Sequence, residues 1–505
     1  MENVTELKQG WRFLRADAFP MAEAVEKHRD AADRSPLDAD YDDRAWEKVT
    51  VPHTFNDAEL FSVPIEDGGS GQKRTAAFYR HTLRIPREHR GKRVYITFEG
   101  VRQTCYMYVN GRLAGYTETG VGPFGFDLTP FIDPDGPNAL AVATDNTGTR
   151  NIPFCIAETP NCPGAEPGSY LQSQDAKVDE KREGVGFSWN CNDFNPAVGG
   201  LSRPVRVIFK NDVHLTLPLY ANLRTRGTYI YADEFDHASG AAKVHVEAEV
   251  MNLSPSDADC LAAVSLRDME GREVAAFTSG ETLVRSTAAH AGTRLSVVPE
   301  KAYRWDGAQE KYVPAGEEAP YPETASAASG SVRAEAGVRG LGFWEPACPK
   351  LYRVVITLYS GGRVTDTEEI VTGFRETGYD RDRGVMINGQ PIWLRGYAQR
   401  ASNEWAASGI APQWMHDYDA RLIRESGANH IRFMHVAGSS EDLRSFDRYG
   451  IVCTQPAGDK EKETFGRQWE QRAEVMRNVL IAYRNHPSIL FWEAYKFFSY
   501  VSRPD

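Results

Sequence analysis

Cysteine is the residue type whose chemistry depends most directly on spacing, and this 505-residue chain carries seven of them. Their number is odd, and their spacing fits neither a disulfide framework nor a zinc ribbon. Scattered thiols of this kind predict unpaired structural cysteines in a reducing compartment, because disulfides persist where conditions are oxidising. The alternative is a metal or disulfide cluster around Cys155, Cys162 and Cys191.

The sequence lacks the residues that several other classes of function require. No Gly-x-Gly-x-x-Gly or Gly-x₄-Gly-Lys-Ser/Thr motif opens a helix after a strand, so a phosphate- or nucleotide-binding α/β enzyme has no support. The chain has 58 basic and 70 acidic residues and a formal net charge of −12, which makes a nucleic-acid partner a poor expectation. No apolar run approaches the roughly 18 residues of a membrane span. The N-terminal residues lack the pattern of a secretory signal, and we therefore expect a cytoplasmic protein with no membrane partner.

The first 375 residues or so read as β structure with a globular composition of 41% apolar and 25% charged residues. Short strand-like runs recur between turn residues, and the run at 106–109 leads into Asn110-Gly111, a strong hairpin signal. A second block, from about 213 to 372, contains a strictly alternating segment at 243–250. Many short strands of this kind predict β-sandwiches or a jelly roll. Residues 300–340 are rich in Ala, Glu, Gly, Pro and Ser and are interpreted as a long mobile insertion.

The periodicity changes at about residue 376, where predicted strands begin to alternate with predicted helices. The strands are 391–396, 430–434, 451–454 and 488–492, and the helices are 417–426, 441–449 and 471–483. Alternation at this spacing indicates βαβ units and parallel pairing. Four such units make the first half of a (β/α)₈ barrel. A whole barrel takes about 250 residues, whereas about 130 follow residue 375.

Short segments spread along the whole chain carry a resemblance to one enzyme family. They are Trp46–His53, Phe98–Val101 with Val109–Gly111, Phe124–Thr129, Gly199–Val205, Phe343–Pro346, Gly373–Arg375 with Ile387–Pro391, and Asn485–Ile489 before Trp492. In this order and spacing they resemble the glycoside hydrolases of family 2, which include β-galactosidases and β-glucuronidases. The resemblance implies a multidomain chain: a jelly-roll β-sandwich that binds sugar (1–212), an immunoglobulin-like β-sandwich (213–372) and the first half of a TIM barrel (373–505).

The family hydrolyses β-glycosides with retention, using one glutamate as acid/base and another as nucleophile. Such carboxyl groups stand about 5–5.5 Å apart across the scissile bond. The family's acid/base follows the fourth barrel strand, five positions after its tryptophan, and that position is Phe497 here. The nucleophile belongs to a later strand. The resemblance therefore predicts a truncated or frame-shifted member, which cannot catalyse retaining hydrolysis alone and uses neither cofactor nor metal.

Two residues in the barrel segment are the first candidates for the remaining chemistry. Glu493 is the only carboxylate near the expected acid/base position, and it is either a displaced acid/base or a strand-end carboxylate with structural hydrogen bonds. His435 matches the histidine of a family loop after the second strand, although the Tyr-Pro that follows there is Val-Ala here. The match implies a contact with a sugar hydroxyl; the alternative is a histidine held in a network at the barrel rim.

Three further residues complete the candidate substrate site. Arg395, on the predicted first strand, lies near the nucleophile in the family, and an inward arginine requires carboxylate partners. Trp492 is expected either to stack on a sugar face or to pack inside the barrel. Asp193 lies in a jelly-roll loop that reaches the active site in some family members, and its alternative role is to form a turn.

These residues leave two functional hypotheses of different class. The first is an exo-acting glycosidase that acts on β-galactosides or β-glucuronides in carbohydrate metabolism. The second is a non-catalytic carbohydrate-binding or structural β-sandwich protein with a vestigial barrel. Family enzymes are often oligomers, so a homo-oligomer is also an expectation. Half a parallel barrel would have an unpaired edge strand, and we therefore expect residues 376–505 to be the least stable part.

Overall fold

The computed structural model describes a discontinuous part of the chain. It comprises residues 3–15, 24, 27–28, 34–56, 75–101, 104–117, 122–145, 199–287, 303–306, 311–314, 328–399, 411–434, 437–456 and 467–493. No helix in these ranges is long and apolar enough to cross a membrane.

The N-terminal region is a sandwich of two antiparallel sheets. Its strands are β1 (Val4–Glu6), β2 (Trp11–Arg15), β3 (Glu47–Val49), β4 (Ala76–Arg84), β5 (Arg93–Phe98), β6 (Thr104–Val109), β7 (Arg112–Thr117), β8 (Phe124–Asp127), β9 (Pro137–Asp145) and β10 (Val205–Lys210). The sheet orders are β1-β10-β5-β8 and β3-β2-β4-β9-β6-β7. Inward-facing Trp11, Phe98, Phe124 and Phe126 are fully buried in the core between them. The predicted Asn110-Gly111 hairpin joins β6 to β7, with both residues at positive φ.

A second sandwich follows, with its own apolar core. Its strands are β11 (Val213–Leu215), β12 (Thr228–Asp236), β13 (Ala241–Asn252), β14 (Ala258–Asp268), β15 (Glu273–Thr278), β16 (Thr282–Val284), β19 (Gly330–Val338), β20 (Tyr352–Ser360) and β21 (Arg363–Thr372); β17 (Tyr303–Asp306) and β18 (Lys311–Pro314) form a separate hairpin. One sheet contains β11, β13, β12 and β19; the other contains β15, β14, β20, β21 and β16. Their inner faces interdigitate in one core cluster.

The interpretation of 300–340 as a mobile insertion is wrong for its last part. Residues 330–338 form β19, which pairs with β13 along nine residues. Val332, Ala334 and Val338 are buried from this strand. Small side chains at alternate positions are sufficient to form the buried face of this strand, because the strand packs closely against a neighbouring sheet. The composition of the segment alone did not reveal that alternation.

The C-terminal region begins with a small antiparallel sheet and continues as parallel βα units. The elements are β22 (Thr377–Asp380), β23 (Gly384–Ile387), β24 (Gln390–Pro391), β25 (Gly396–Gln399), α1 (Gln413–Glu425), β26 (His430–Phe433), α2 (Ser440–Tyr449), β27 (Val452–Pro456), α3 (Arg467–Tyr483) and β28 (Ile489–Glu493). Strands β25, β26, β27 and β28 pair in this order, all parallel, as the alternating pattern predicted.

One predicted strand of this region, 391–396, is wrong. Asn388 and Gly389 both adopt positive φ and turn the chain back, so that Gln390 and Pro391 pair antiparallel with β23. The first parallel strand starts only at Gly396. The Asn-Gly hairpin signal therefore outweighs the apolar run that follows it.

The segment 484–489 joins the C-terminal region to the second sandwich. Asn485 Oδ1 accepts a hydrogen bond from Ile230 N (3.0 Å), and Asn485 Nδ2 donates to Thr228 O (2.9 Å). Its amide therefore substitutes for a neighbouring strand along part of β12. Arg375 donates from Nε to Pro487 O (2.5 Å) and from Nη2 to Ile489 O, and fixes the start of β28. This segment of the family resemblance has a structural role here.

Candidate active site

Parallel pairing brings the carboxyl ends of β25 to β28 to one edge of the sheet. Ile431 and Phe433 pack into an apolar cluster with residues of the three helices, so these side chains face the helix layer. His430 and Arg432 alternate with them and face the opposite side, which corresponds to the interior of a barrel. Arg432, near the carboxyl end of β26, lies where parallel barrels carry their chemistry, whereas His430 begins the strand.

The principal polar contact on this inner face joins Arg432 to Glu493. Arg432 Nε donates to Glu493 Oε2 at 2.7 Å, and Arg432 Nη2 donates to Glu493 Oε1. The pair spans β26 and β28 across β27, and both side chains are largely buried. Both carboxylate oxygens of Glu493 accept from one guanidinium, so neither is placed to deliver a proton to a leaving group. The geometry favours the structural alternative for Glu493 over a displaced acid/base.

Arg432 is a site residue that sequence reasoning did not assign. The available signal was its alternation with the apolar Ile431 and Phe433, which places an arginine on the inner face of a parallel strand. Beside it, His430 Nε2 lies 3.1 Å from Thr454 Oγ1. Burial, and secondarily the charge of Arg432, lower the pKa of His430. This favours a neutral imidazole that exchanges a hydrogen bond with the Thr454 hydroxyl.

Arg395 and Trp492 lie at opposite ends of this sheet. Arg395 directly precedes β25, its side chain is exposed, and it has no ion-pair partner among the residues that the structure describes. Its backbone is fixed, since Arg395 N donates to Asn429 Oδ1 (2.8 Å) and Arg395 O accepts from Asn429 N. Trp492 is half-buried against the cluster between sheet and helices. The side chain therefore packs on the helix side of the sheet and not inside the barrel, as one alternative predicted, and its contact with sugar stays a prediction.

The remaining candidates cannot be placed. His435 and Asp193 lie outside the described residues, as do Phe497 and the proposed cluster of Cys155, Cys162 and Cys191. Their roles remain predictions.

Cysteines in the described part of the chain are unpaired. Cys105, Cys260 and Cys453 are buried and Cys348 is exposed. Burial raises the pKa of the Cys105 and Cys453 thiols well above the usual range, which disfavours thiolate chemistry. Within the same ranges, no three His, Cys, Asp or Glu side chains are grouped to hold a metal ion.

The beginning of α2 anchors the N-terminal sandwich beside this edge of the sheet. Ser440 Oγ donates to Glu99 Oε2 at 3.0 Å, and Arg203 Nη1 lies 3.7 Å from Glu441 Oε2. Glu99 and Arg203 both belong to segments of the family resemblance. Through these contacts, the two segments help to position the N-terminal sandwich against the C-terminal region.

A buried histidine–carboxylate pair supports the same helix end. His416 Nδ1 lies 2.6 Å from Asp442 Oδ1, and Asp442 Oδ2 accepts from Ser439 N (2.8 Å) in a capping box. Burial opposes the charge of His416, but Asp442 outweighs it and raises the pKa of the histidine. Burial likewise opposes the charge of Asp442, and His416 reverses the effect and lowers its pKa.

This pair predicts a pH-dependent stability. The raised pKa of His416 gives stability that is fully present below its ordinary value of about 6.5 and is lost as pH rises through the folded-state pKa. The lowered pKa of Asp442 gives stability that is lost as pH falls below about 4. Replacing His416 with Gln should destabilise the chain at pH 6, and this difference should shrink by on the order of 1 kcal/mol by pH 8. Urea unfolding at both pH values measures it.

The matched control is His237→Gln, which removes the exposed partner of Glu376, 2.8 Å away. An exposed ion pair contributes little to stability. We therefore expect this variant and the unaltered chain to differ little in their free energy of unfolding at either pH. If His416→Gln lowers the free energy of unfolding equally at both pH values, the predicted coupling between the protonation of His416 and stability is contradicted.

Three family models match successive parts of the chain. Residues 15–148 match the description "Glycosyl hydrolases family 2, sugar binding domain", residues 226–375 match "Glycosyl hydrolases family 2", and residues 381–495 match "Glycosyl hydrolases family 2, TIM barrel domain". Together they cover most of the sequence in the order that the resemblance predicted. The exact domain bounds remain a prediction.

Individual relatives agree with these matches. A protein named beta-glucuronidase from Formosa agariphila is 31% identical over 460 residues, which is 90% of this chain and 40% of that protein. A beta-galactosidase from Thermoanaerobacter pseudethanolicus is 23% identical over 90% of this chain and 48% of its own length. A solved beta-glucuronidase from glycoside hydrolase family 2 superposes with a TM-score of 0.73 and 27% identity, over 97% of this chain and 43% of that one. The chain thus spans less than half the length of these proteins, and it belongs to glycoside hydrolase family 2.

Proposed function

We propose that the chain serves the retaining hydrolysis of β-glycosides, with β-glucuronides or β-galactosides as its substrate class. The observation that carries the proposal is the 31% identity to a protein named beta-glucuronidase over 90% of this chain. The beta-galactosidase relative supports the wider substrate class. Carbohydrate is accordingly the partner that we propose.

We also propose that these 505 residues do not hydrolyse substrate on their own. Retaining hydrolysis requires two carboxyl groups about 5–5.5 Å apart. Among the strand residues of β25 to β28, Glu493 is the only carboxylate, and it is engaged by Arg432. Phe497 stands at the position where the family pattern carries its acid/base.

The second candidate is a carbohydrate-binding protein without catalysis. The bidentate Arg432–Glu493 contact favours it, because this contact occupies the one strand-end carboxylate in a structural role. Under this alternative, the two sandwiches would bind a sugar without selecting for the β-glycosidic bond.

Binding and turnover measured on the same purified chain separate these proposals. We expect saturable binding of an aryl β-D-glucuronide or β-D-galactoside in calorimetric titration, with no aryl release above the buffer rate. The α-anomers are the matched control and should not bind. Turnover above buffer would contradict the inactivity of the 505 residues. Equal binding of both anomers would favour the non-catalytic alternative, and no binding of either sugar would contradict the proposed substrate class.

A further inference from the structure

Gln455, in β27, carries a buried amide that holds another part of the backbone. Its side chain is fully buried, which is unusual for glutamine. Gly438 N donates to Gln455 Oε1 at 2.8 Å, and Gln455 Nε2 donates to Gly438 O at 3.3 Å. One side-chain amide thus exchanges hydrogen bonds with both the N–H and the C=O of Gly438, as a residue of a neighbouring strand would do.

Gly438 also lies tightly against the end of the preceding strand. A Cβ at this position would lie 2.5 Å from two ring carbons of Phe433. That ring is buried and stacks on Phe446, so it cannot give way to a larger residue. Phe433 is the last residue of β26, the strand that carries Arg432 on its inner face. Gly438 is therefore fixed from two sides, by the end of β26 and by the amide from β27.

Residues 437–439 precede α2 at the carboxyl edge of the parallel sheet, and all three are buried. Parallel barrels build their substrate sites from the connections at this edge. A binding segment that is ordered before the ligand arrives spares the complex the entropic cost of ordering it. An amide that fixes residues 437–439 is therefore expected to act on binding as well as on stability.

The chemistry of an amide is required for this contact. Glutamine provides both a donor and an acceptor, whereas an ionised glutamate only accepts and would place a charge against Gly438 O. Methionine has a similar length and neither group. The contact thus depends on the functional group of Gln455 and not on the volume of its side chain.

We propose that Gln455 is a positioning residue for substrate, which fixes residues 437–439 in the conformation that receives a β-glycoside. Because its side chain is fully buried, Gln455 acts through Gly438 and does not contact the sugar. The inference rests on the proposed function and takes its substrate class from it.

Gln455→Met and Asn485→Leu form a matched pair of variants. Asn485 makes the same two amide hydrogen bonds, with Ile230 N and Thr228 O, at the junction with the second sandwich. We expect Gln455→Met to raise the Kd for an aryl β-D-glucuronide or β-D-galactoside about tenfold in calorimetric titration, because binding must then order a backbone residue that the amide had fixed. Asn485→Leu should leave the Kd within about twofold of its original value.

Hydrogen exchange of residues 437–439 supplies a readout that a purely structural role would not change. In the unaltered chain, the Gly438 N–H should be protected with and without sugar. In Gln455→Met it should exchange rapidly and regain protection when sugar binds, because binding restores the order. Gln455→Asn, whose amide is one methylene too short to reach Gly438, should behave in the same way and serves if urea unfolding shows that Gln455→Met does not fold.

Faster exchange at Gly438 with an unchanged Kd would overturn the inference, because residues 437–439 would then take no part in binding. Unchanged exchange would overturn it as well, since Gln455 would not fix Gly438. An equal loss of affinity in Asn485→Leu would attribute the effect to general destabilisation. If the unaltered chain binds neither sugar, the proposed function fails and the inference fails with it, whereas binding that is indifferent to Gln455 contradicts the inference alone.

Discussion

Replacing Trp344 with alanine is expected to destabilise the C-terminal region by about 3–5 kcal/mol, the usual cost of removing a large buried aromatic side chain. Trp344 is fully buried although it lies in the connection between β19 and β20 of the second sandwich. It packs with Ile387, Val452 and the partly buried Leu490, and so lies beneath two strands of the parallel sheet. The side chain therefore contributes to the core of a region that it does not belong to by sequence.

Trp344 also makes hydrogen bonds, one of which adds to this cost. Its indole Nε1 donates to Asp447 O at 2.9 Å, and its backbone N donates to Phe374 O at 2.7 Å. Only the first depends on the side chain, and its loss leaves a buried carbonyl without its donor. Gly373 is required for this packing, because a Cβ there would lie 2.9 Å from Trp344 Cβ.

Urea unfolding followed by hydrogen exchange of β27 and β28 measures the effect. Trp393→Ala makes the same chemical change at a residue that is 81% exposed, and it should alter stability by less than about 0.5 kcal/mol. If the two variants unfold at the same urea concentration, Trp344 does not stabilise the parallel sheet.

The order and type of the elements could be predicted because they depend on local periodicity. Three of the four parallel strands and all three helices fall where the alternation places them, within a few residues at most ends. The two errors concern segments whose conformation depends on distant partners. β19 is stabilised by pairing with β13, about 90 residues away. The conformation of residues 391–396 is set by the turn at Asn388 and Gly389. The family could be inferred because many short segments, each of low specificity alone, occur in the order that the family shows.

The candidate site could be predicted only in part, for a related reason. Glu493 was identified from its position in the sequence, but its partner Arg432 lies 61 residues earlier. Their contact depends on the register of three strands, including a register shift between Cys453 and Thr454. Likewise, the segment 484–489 was identified by resemblance, whereas its hydrogen bonds to β12 follow from the packing of separate regions.

Replacing Asp447 with alanine is expected to cost about 3–5 kcal/mol, because it removes one partner from a buried polar group. Asp447 Oδ2 lies 2.5 Å from His486 Nδ1, and Asp447 Oδ1 accepts from Ser488 N at 3.0 Å. The carboxylate is almost completely buried and connects the end of α2 to the start of β28. Without it, the imidazole nitrogen and the Ser488 N–H are left buried without an acceptor, and each such loss costs about 1–3 kcal/mol.

Asp447→Asn distinguishes the loss of hydrogen bonds from the loss of volume. The amide has the same shape but only one acceptor oxygen, so it can keep the Ser488 contact or the His486 contact, and we expect an intermediate destabilisation of about 1–3 kcal/mol. Asp382→Ala, at an exposed turn, is the control and should be nearly neutral. Hydrogen exchange at Ser488 should accelerate in Asp447→Ala and much less in Asp447→Asn. Native stability of Asp447→Asn beside a destabilised Asp447→Ala would show that the carboxylate fills space without accepting these hydrogen bonds. The graded loss would instead establish it as the connection that fixes β28, and with it Glu493, at the end of the sheet.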